Sequence, residues 1–189
     1  DIFPLEGEYT AEMIRSAILG VGTKQEFDNA ALPVRPPVFC PGCPHRGLFY
    51  VLSKMKLHVS GDIGCYTLGA TSPLFAMDST IDMGASITVL HGMNAVRGRE
   101  QANHSVAVIG DSTFLHSGIT GLINVVYNNT PSTIIIVDNS ITGMTGHQQN
   151  PATGVTLKGE KTNAVDLETL CRSVGVKRVR VVDPYDLKE

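Results

Sequence analysis

Val106-Ala-Val-Ile-Gly-Asp-Ser-Thr113 begins as a β-branched apolar run and ends in polar residues, and Thr133-Ile-Ile-Ile-Val-Asp-Asn-Ser-Ile141 repeats that pattern. Short apolar runs of this kind are typical of strands that are buried on both faces. A helical pattern lies between the two runs, over residues 114–127. Because a helix joins two such strands, the sequence predicts a right-handed βαβ crossover within a parallel sheet.

The same alternation continues on both sides of this unit. The spacing of apolar residues predicts further helices over residues 45–56, 86–96 and 166–173. Short apolar runs predict further strands over residues 58–60 and 176–182. We therefore expect an α/β fold, a doubly wound parallel sheet with helices on both faces.

A separate segment precedes this pattern. Thr10-Ala-Glu-Met-Ile-Arg-Ser-Ala-Ile-Leu19 predicts a helix, with its first residue as N-cap and Gly20 after its end. Pro36-Pro37 cannot continue a helix and stiffens the chain. We place a domain boundary here: residues 1–34 are expected to be a lead-in or linker from a preceding domain, and residues 35–189 the main domain.

Composition and charge exclude several classes of protein. The chain has 189 residues, of which 42% are hydrophobic, enough to bury a full core. A net charge of −3 and the lack of a Lys or Arg run leave no cationic surface for nucleic acid. No apolar stretch reaches the roughly 18 residues that span a bilayer, and the first residues lack the order of a signal peptide. We expect a cytoplasmic protein with no nucleic-acid or membrane partner.

Polar residues follow both strands directly, Asp111 after the first and Asn139 after the second. In doubly wound sheets ligands lie beyond the carboxyl ends of the strands. A carboxylate and an amide oxygen can hold a hard cation such as Mg²⁺, which bridges to phosphate oxygens. Gly110 would let the backbone approach a ligand closely, and the amides of residues 112–114 would donate to its negative oxygens. The alternative is structural, since Asp is a common N-cap and Asn a common turn residue.

Gly110-Asp111, followed 28 positions later by Asn139 and then by Ser140-Ile141, resembles the motif of thiamine-diphosphate-dependent enzymes. The resemblance implies that Mg²⁺ is held by the Asp111 carboxylate, the Asn139 side-chain oxygen and the main-chain carbonyl of Ile141. Ser112 departs from the pattern, which usually has glycine at that position. Its hydroxyl could serve a phosphate group.

A second motif is the C-x-x-C pair of Cys40 and Cys43, which Cys65 follows. Three interpretations are open: a thiol–disulfide couple, a zinc site and the ligands of an iron–sulfur cluster. The proline-rich entry to the pair disfavours the first. Zinc needs four ligands, so His45 or Cys171 would have to complete that set.

Three longer segments together resemble the large (alpha) subunit of the indolepyruvate ferredoxin oxidoreductases, and the likeness covers nearly the whole chain. It implies the thiamine-diphosphate-binding fold and oxidative decarboxylation of indolepyruvate or another arylpyruvate to an acyl-coenzyme A, with electrons passed to ferredoxin. It also implies a pyrimidine-binding domain in the same or another subunit, a smaller second subunit and an oligomer. The segments are Phe39-Cys-Pro-Gly-Cys-Pro-His-Arg46, Gly61-Asp-Ile-Gly-Cys-Tyr-Thr-Leu-Gly69 and Gly110-Asp-Ser-Thr-Phe-Leu-His-Ser-Gly118.

This likeness also implies a [4Fe-4S] cluster, held near the thiamine by Cys40, Cys43 and Cys65. The fourth ligand stays open, because Cys171 lies in an amphipathic helical pattern and is expected to be structural.

Two histidines, His45 and His147, are candidate catalytic residues because imidazole titrates near neutrality. The residues expected to bind the cofactor are Gly64, Cys65, Gly110, Asp111, Ser112, Thr113, Asn139, Ile141, Thr142 and Gly143.

Two other functions share part of these motifs. A non-oxidative thiamine-dependent decarboxylase or carboligase would have Asp111 and Asn139 but no need of the cysteines. A non-catalytic metal-binding module would keep the cysteines and make the 28-residue spacing an accident. Iron content distinguishes the first alternative, and thiamine binding distinguishes the second.

Overall fold

The computed structural model describes residue 3 and residues 5–21 and 32–186. Contacts between Cα atoms divide the chain into two units, Asp1–Pro36 and Pro37–Glu189. The division falls at the proline pair. The interpretation of residues 1–34 as a lead-in from a preceding domain stays a prediction.

The first unit contains helix α1, Ala11–Leu19. Its N-cap is Thr10, whose side chain accepts a hydrogen bond from the Met13 amide at 3.2 Å. The helix ends at Gly20, which has a φ of 66° and donates its amide hydrogen to the Ser16 carbonyl. A glycine in this left-handed conformation is a common end of a helix. The predicted helix is confirmed.

The second unit is built on a four-stranded sheet, in which every described pair of neighbouring strands is parallel. Strands β1 and β2 are His58–Gly61 and Ser79–Thr80, and strands β3 and β4 are Ser105–Gly110 and Thr133–Val137. Their order across the sheet is β2-β1-β3-β4. Gly110 pairs with Val137, so the residues that follow β3 and β4 leave the sheet side by side.

The helices predicted between these strands are present, with two differences. The predicted helix over residues 86–96 runs on to Asn103, through a kink at Gly98. The segment predicted as a helix over residues 114–127 begins with a π-helical turn, Phe114–Gly118. The helices of this unit are α2 (His45–Met55), a 3₁₀ helix (Cys65–Ala70), α3 (Ala85–Asn103), α4 (Asp111–Thr113), α5 (Ile119–Tyr127) and α6 (Leu167–Ser173).

The predicted strand over residues 176–182 is wrong, because this segment has no regular structure. Val176 and Val179 are partly buried and both pack against the second apolar core, which lies on one face of the sheet. The Val179 carbonyl accepts a hydrogen bond from the Arg172 guanidinium at 3.2 Å, so a side chain satisfies it in place of a neighbouring strand. Burial of apolar side chains explains the pattern here without strand pairing.

Helices cover both faces of the sheet, as predicted. Val106 and Val108 of β3 pack into one core with Phe49 of α2, whereas Ala107 and Ile109 pack into a second core on the other face. The helical segments add buried side chains to the second core, and these are Ile87 and Leu90 of α3, Phe114 of the π-helical turn, Leu122 and Val125 of α5, and Cys171 of α6. β3 is buried along its whole length and is the centre of the fold.

Asp62, directly after β1, is fully buried and fixes the start of α3. Its carboxylate accepts hydrogen bonds from the amides of Gly84 at 2.8 Å and Ser86 at 3.1 Å. A carboxylate at this position satisfies amides that have no partner within the helix. Asp62 is therefore a structural residue that holds α3 against the end of β1.

No helix in the described part of the chain combines the length and the apolarity needed to cross a bilayer.

Candidate functional site

An open cavity lies beyond the carboxyl ends of β1, β3 and β4, with about 510 Å³ of empty space that includes solvent at its mouth. Its lining includes every residue predicted to contact the cofactor, together with His45: Gly64, Cys65, Gly110, Asp111, Ser112, Thr113, Asn139, Ile141, Thr142 and Gly143. The structure thus brings together residues as distant in the sequence as His45 and Thr145.

Asp111 is the buried charge of this cavity, with a side chain only 3% exposed. Burial raises the pKa of its carboxyl group, while hydrogen bonds from Asn150 and the Ser112 amide oppose that rise. No ion pair to Asp111 is present among the described residues. A carboxylate removed from water without a cationic partner is costly, and a bound metal ion would offset that cost.

Asn139 and Ile141 provide the other two predicted metal ligands. The Asn139 side-chain oxygen accepts a hydrogen bond from the Ile141 amide at 3.3 Å, which is an Asx turn. An amide oxygen has two lone pairs, so the turn leaves one of them for a cation. The donor set of carboxylate, amide and carbonyl oxygens fits a hard divalent ion such as Mg²⁺.

A hydroxyl pair joins the two segments that follow β3 and β4. The Thr142 hydroxyl donates to the Ser112 hydroxyl oxygen at 2.8 Å. Both residues line the cavity, and both hydroxyl groups can bond to a phosphate oxygen. The departure from glycine at Ser112 therefore adds a cross-link between the segments as well as a polar group in the site.

Tyr66 is a lining residue that the sequence analysis missed. Its hydroxyl donates to the Ile63 carbonyl at 2.9 Å and lies 3.4 Å from the Thr113 hydroxyl oxygen. Burial raises the pKa of Tyr66 to about 12. A Cβ atom at Gly64 or at Gly110 would lie 2.5 Å from the Tyr66 ring. The missing side chain of Gly110 thus makes room for the Tyr66 ring, and the expectation that it also lets a ligand approach the backbone stays a prediction.

The cysteines are all free, and three of them are electrostatically coupled. Cys40 is exposed, Cys43 and Cys65 are half-buried, and Cys171 is buried in the core next to α5. Burial raises the pKa of Cys65, and negative charge on Cys40 and Cys43 raises it further, so the three lie in one neighbourhood. Within the described ranges no three His, Cys, Asp or Glu side chains converge as ligands of one metal ion.

The two candidate histidines lie in different surroundings. His45, the first residue of α2, is buried and lines the cavity, and its burial lowers its pKa. His147 is exposed, has a φ of 64° and is not in the cavity lining. The structure favours His45 as the candidate catalytic histidine.

Asp138 is a further residue that was missed from the sequence. Its negative charge acts to raise the pKa of both His45 and Asp111.

Asn150 is the third residue that the sequence did not reveal. Its amide nitrogen donates to Asp111 Oδ2 at 2.9 Å, across 39 positions of the chain. The Asn-Pro pair at residues 150–151 signals a turn, but no sequence pattern indicates which side chain the asparagine contacts.

Comparisons with known proteins agree with this geometry. The family model described as "Thiamine pyrophosphate enzyme, C-terminal TPP binding domain" matches residues 62–189. This match argues against a non-catalytic metal-binding module. The chain is also similar to 2-oxoglutarate:ferredoxin oxidoreductase from Magnetococcus marinus, solved with 2-oxoglutarate, coenzyme A and succinyl-CoA bound. The TM-score is 0.59 at 21% identity, over 75% of this chain and 52% of that one, which supports the fold.

The chain is 41% identical to indolepyruvate oxidoreductase subunit IorA of Archaeoglobus fulgidus, over 98% of this chain and 32% of the relative. It is also 41% identical to the same subunit of Pyrococcus horikoshii, over 100% of this chain and 33% of the relative. It therefore spans about a third of the length of these relatives. The relatives named here are thus IorA subunits, and the family model shows that the chain belongs to the thiamine pyrophosphate enzymes and contains their C-terminal TPP-binding domain.

Proposed function

We propose that the cavity beyond β3 and β4 binds thiamine diphosphate through a Mg²⁺ ion held by Asp111, Asn139 and Ile141. We further propose that the protein takes part in the oxidative decarboxylation of indolepyruvate or another arylpyruvate to an acyl-coenzyme A, with ferredoxin as the electron acceptor. The observation that carries the proposal is that Asp111, buried and without a described cationic partner, lines the same cavity as Asn139 and Ile141.

When bound, thiamine diphosphate supplies the nucleophilic carbon and the electron sink for cleavage of a 2-oxoacid. This chain contributes binding and orientation. The backbone amides at the start of the helical segment from Asp111 to Tyr127 would donate to the negative oxygens of the diphosphate, as at other helix N-termini. The hydroxyls of Ser112 and Thr142 lie beside them and can bond to the same diphosphate.

The three coupled cysteines support the oxidative reaction over a non-oxidative one. Cys65 lines the cavity, and negative charge on Cys40 and Cys43 acts on its thiol. We propose that these thiolates are three ligands of a [4Fe-4S] cluster, which usually takes four cysteines. A cluster beside the cofactor would accept electrons singly and pass them to ferredoxin, whereas a non-oxidative decarboxylase needs no such path.

The cavity also points to a partner domain. Thiamine-dependent enzymes usually activate the aminopyrimidine ring with a glutamate of a pyrimidine-binding domain, and no glutamate is present in the described lining. We propose that this glutamate comes from another domain or subunit, and that the active site lies at that interface. A smaller second subunit and coenzyme A are the further partners of the proposed reaction.

Calorimetric titration of thiamine diphosphate into the full-length protein tests the proposal, first with Mg²⁺ and then with EDTA. We expect saturable binding with Mg²⁺ and a strong loss of affinity in EDTA, because the cation bridges the carboxylate to the diphosphate. Binding that is equally tight in EDTA would contradict the metal site. No binding under either condition would contradict the cofactor assignment.

A further inference from the structure

Asn150 is buried in a loop whose neighbouring residues are largely exposed. Its side chain is 8% exposed, whereas residues 144–149 are exposed. It follows the predicted metal ligands Asn139 and Ile141 by about ten residues, so the loop that begins at the cavity returns to contact Asp111. A buried amide side chain costs free energy unless both of its polar ends are satisfied.

Both ends of the Asn150 side chain have a partner. Its oxygen accepts a hydrogen bond from the Ala152 amide at 2.9 Å, and its nitrogen donates to Asp111 Oδ2 at 2.9 Å. Because the Ala152 amide is a donor, the oxygen must face it and the nitrogen must face Asp111. The orientation of the amide is therefore fixed by the network.

The turn that begins at Asn150 explains only the hydrogen bond from the Ala152 amide. A serine or an aspartate could also accept from the Ala152 amide, but neither would donate across to Asp111 in the same way. The Asn150 amide also differs from the side chain of a lysine or an arginine because it carries no charge. A neutral donor can hold the carboxylate in one orientation without neutralising the negative charge that a cation needs.

We infer that Asn150 is a positioning residue for the proposed cation: it engages Asp111 Oδ2 and turns the other carboxylate oxygen toward the metal and the diphosphate. The inference rests on the proposed function. The loop after β4 would then have two roles. It supplies the proposed ligands Asn139 and Ile141, and through Asn150 it orients Asp111, the proposed ligand that follows β3. Residues that orient metal ligands typically change metal affinity by about 10–100-fold when they are replaced.

The test compares two serine variants of the full-length protein. Asn150→Ser keeps an acceptor for the Ala152 amide but is too short to reach Asp111. Asn163→Ser makes the same change at an exposed asparagine in the same loop and serves as the control. The measured quantity is the Mg²⁺ concentration that gives half-maximal binding of thiamine diphosphate, with the thermal unfolding midpoint measured in parallel.

We expect Asn150→Ser to raise the required Mg²⁺ concentration by about 10–100-fold, with cofactor affinity restored at saturating Mg²⁺. Asn163→Ser should leave it unchanged. An unchanged Mg²⁺ requirement in Asn150→Ser, with normal wild-type binding, would overturn this inference alone and leave the proposed function intact. A binding loss that excess Mg²⁺ does not restore would show that Asn150 is merely structural. Wild-type protein without metal-dependent binding would overturn both proposals.

Discussion

Two neighbouring parts of this molecule differ in how far the fold has already arranged them. The strand-end site, formed by Asp111, Asn139 and Ile141, is set by the register of β3 and β4 and by hydrogen bonds to its ligands. The cysteine site, formed by Cys40, Cys43 and Cys65, lies before α2 and at the start of the 3₁₀ helix. Its thiols repel one another when they are charged, and one of them is exposed.

This difference indicates what each proposed ligand must supply. The strand-end site needs only a cation, because one buried carboxylate is already oriented and lacks a positive partner among the described residues. The cysteine site would need the proposed iron–sulfur cluster to bring its thiolates together, as metal binding is often coupled to local folding. We therefore expect the two sites to respond differently to substitution.

The largest expected effect is at the strand-end site. Asp111→Ala should weaken Mg²⁺-dependent binding of thiamine diphosphate by more than about 100-fold, because a direct ligand contributes at least as much as the residues that orient it. Calorimetry on the full-length protein measures this change. Asp82→Ala, at an exposed carboxylate outside the cavity, is the control and should bind normally. Equal affinities of the two variants would disprove the role of Asp111.

At the cysteine site, Cys43→Ser should remove most of the iron from protein purified without oxygen, because a hydroxyl is a poor ligand for a [4Fe-4S] cluster. Cys171→Ser, at a buried cysteine of the core, should retain it. Iron content per subunit and cluster absorbance are the measurements. Full iron in Cys43→Ser would mean that this thiol is not a cluster ligand.

A third comparison separates packing from ligand binding within the cavity wall. Gly110→Ala would place a Cβ atom 2.5 Å from the hydrogen-bonded Tyr66 ring, whereas Gly143→Ala would place one 3.6 Å from Cys65 Sγ, an ordinary contact. Overpacking a filled site costs about 1–3 kcal/mol. Thermal unfolding should show a lower midpoint for Gly110→Ala and nearly no change for Gly143→Ala. Similar midpoints would mean that Tyr66 can move away at little cost.

The smallest expected effect concerns His45. Burial lowers its pKa below the usual value of 6.5, so as the pH falls through 6.5 the unfolded chain binds a proton that the folded protein excludes. The free energy of unfolding should therefore fall as the pH is lowered through this range. His45→Gln should make this dependence of stability on pH less steep. The unfolding midpoint measured between about pH 5.5 and pH 7.5 tests this, with the exposed His147→Gln as control. Identical slopes would contradict a buried neutral His45.

Much of the fold and the positions of the proposed metal ligands could be predicted because their signals are local. β3 and β4 are continuous apolar runs, and Asp111 and Asn139 follow them within two residues. A parallel sheet places residues after neighbouring strands together, so the site follows from the strand assignment. The cysteine motif is equally local, but the sequence does not show that its thiols are coupled to one another.

The missed features depend on contacts between distant residues. Asn150 reaches Asp111 across 39 positions, and Tyr66 reaches Thr113 across 47. The wrong strand over residues 176–182 has a similar cause: its β-branched residues fit a strand, yet packing of Val176 and Val179 into the core decides their structure. Local propensity cannot reveal which tertiary contact satisfies a side chain.

The most direct test of the central claim is spectroscopic. Mn²⁺ in place of Mg²⁺ should bind the full-length protein together with thiamine diphosphate, and pulsed electron paramagnetic resonance should then detect coupling between Mn²⁺ and the phosphorus nuclei of the diphosphate. Our account predicts this coupling in wild-type protein and its loss in Asp111→Ala. The same coupling at the same Mn²⁺ concentration in Asp111→Ala would show that the cation is held elsewhere and would contradict the strand-end site.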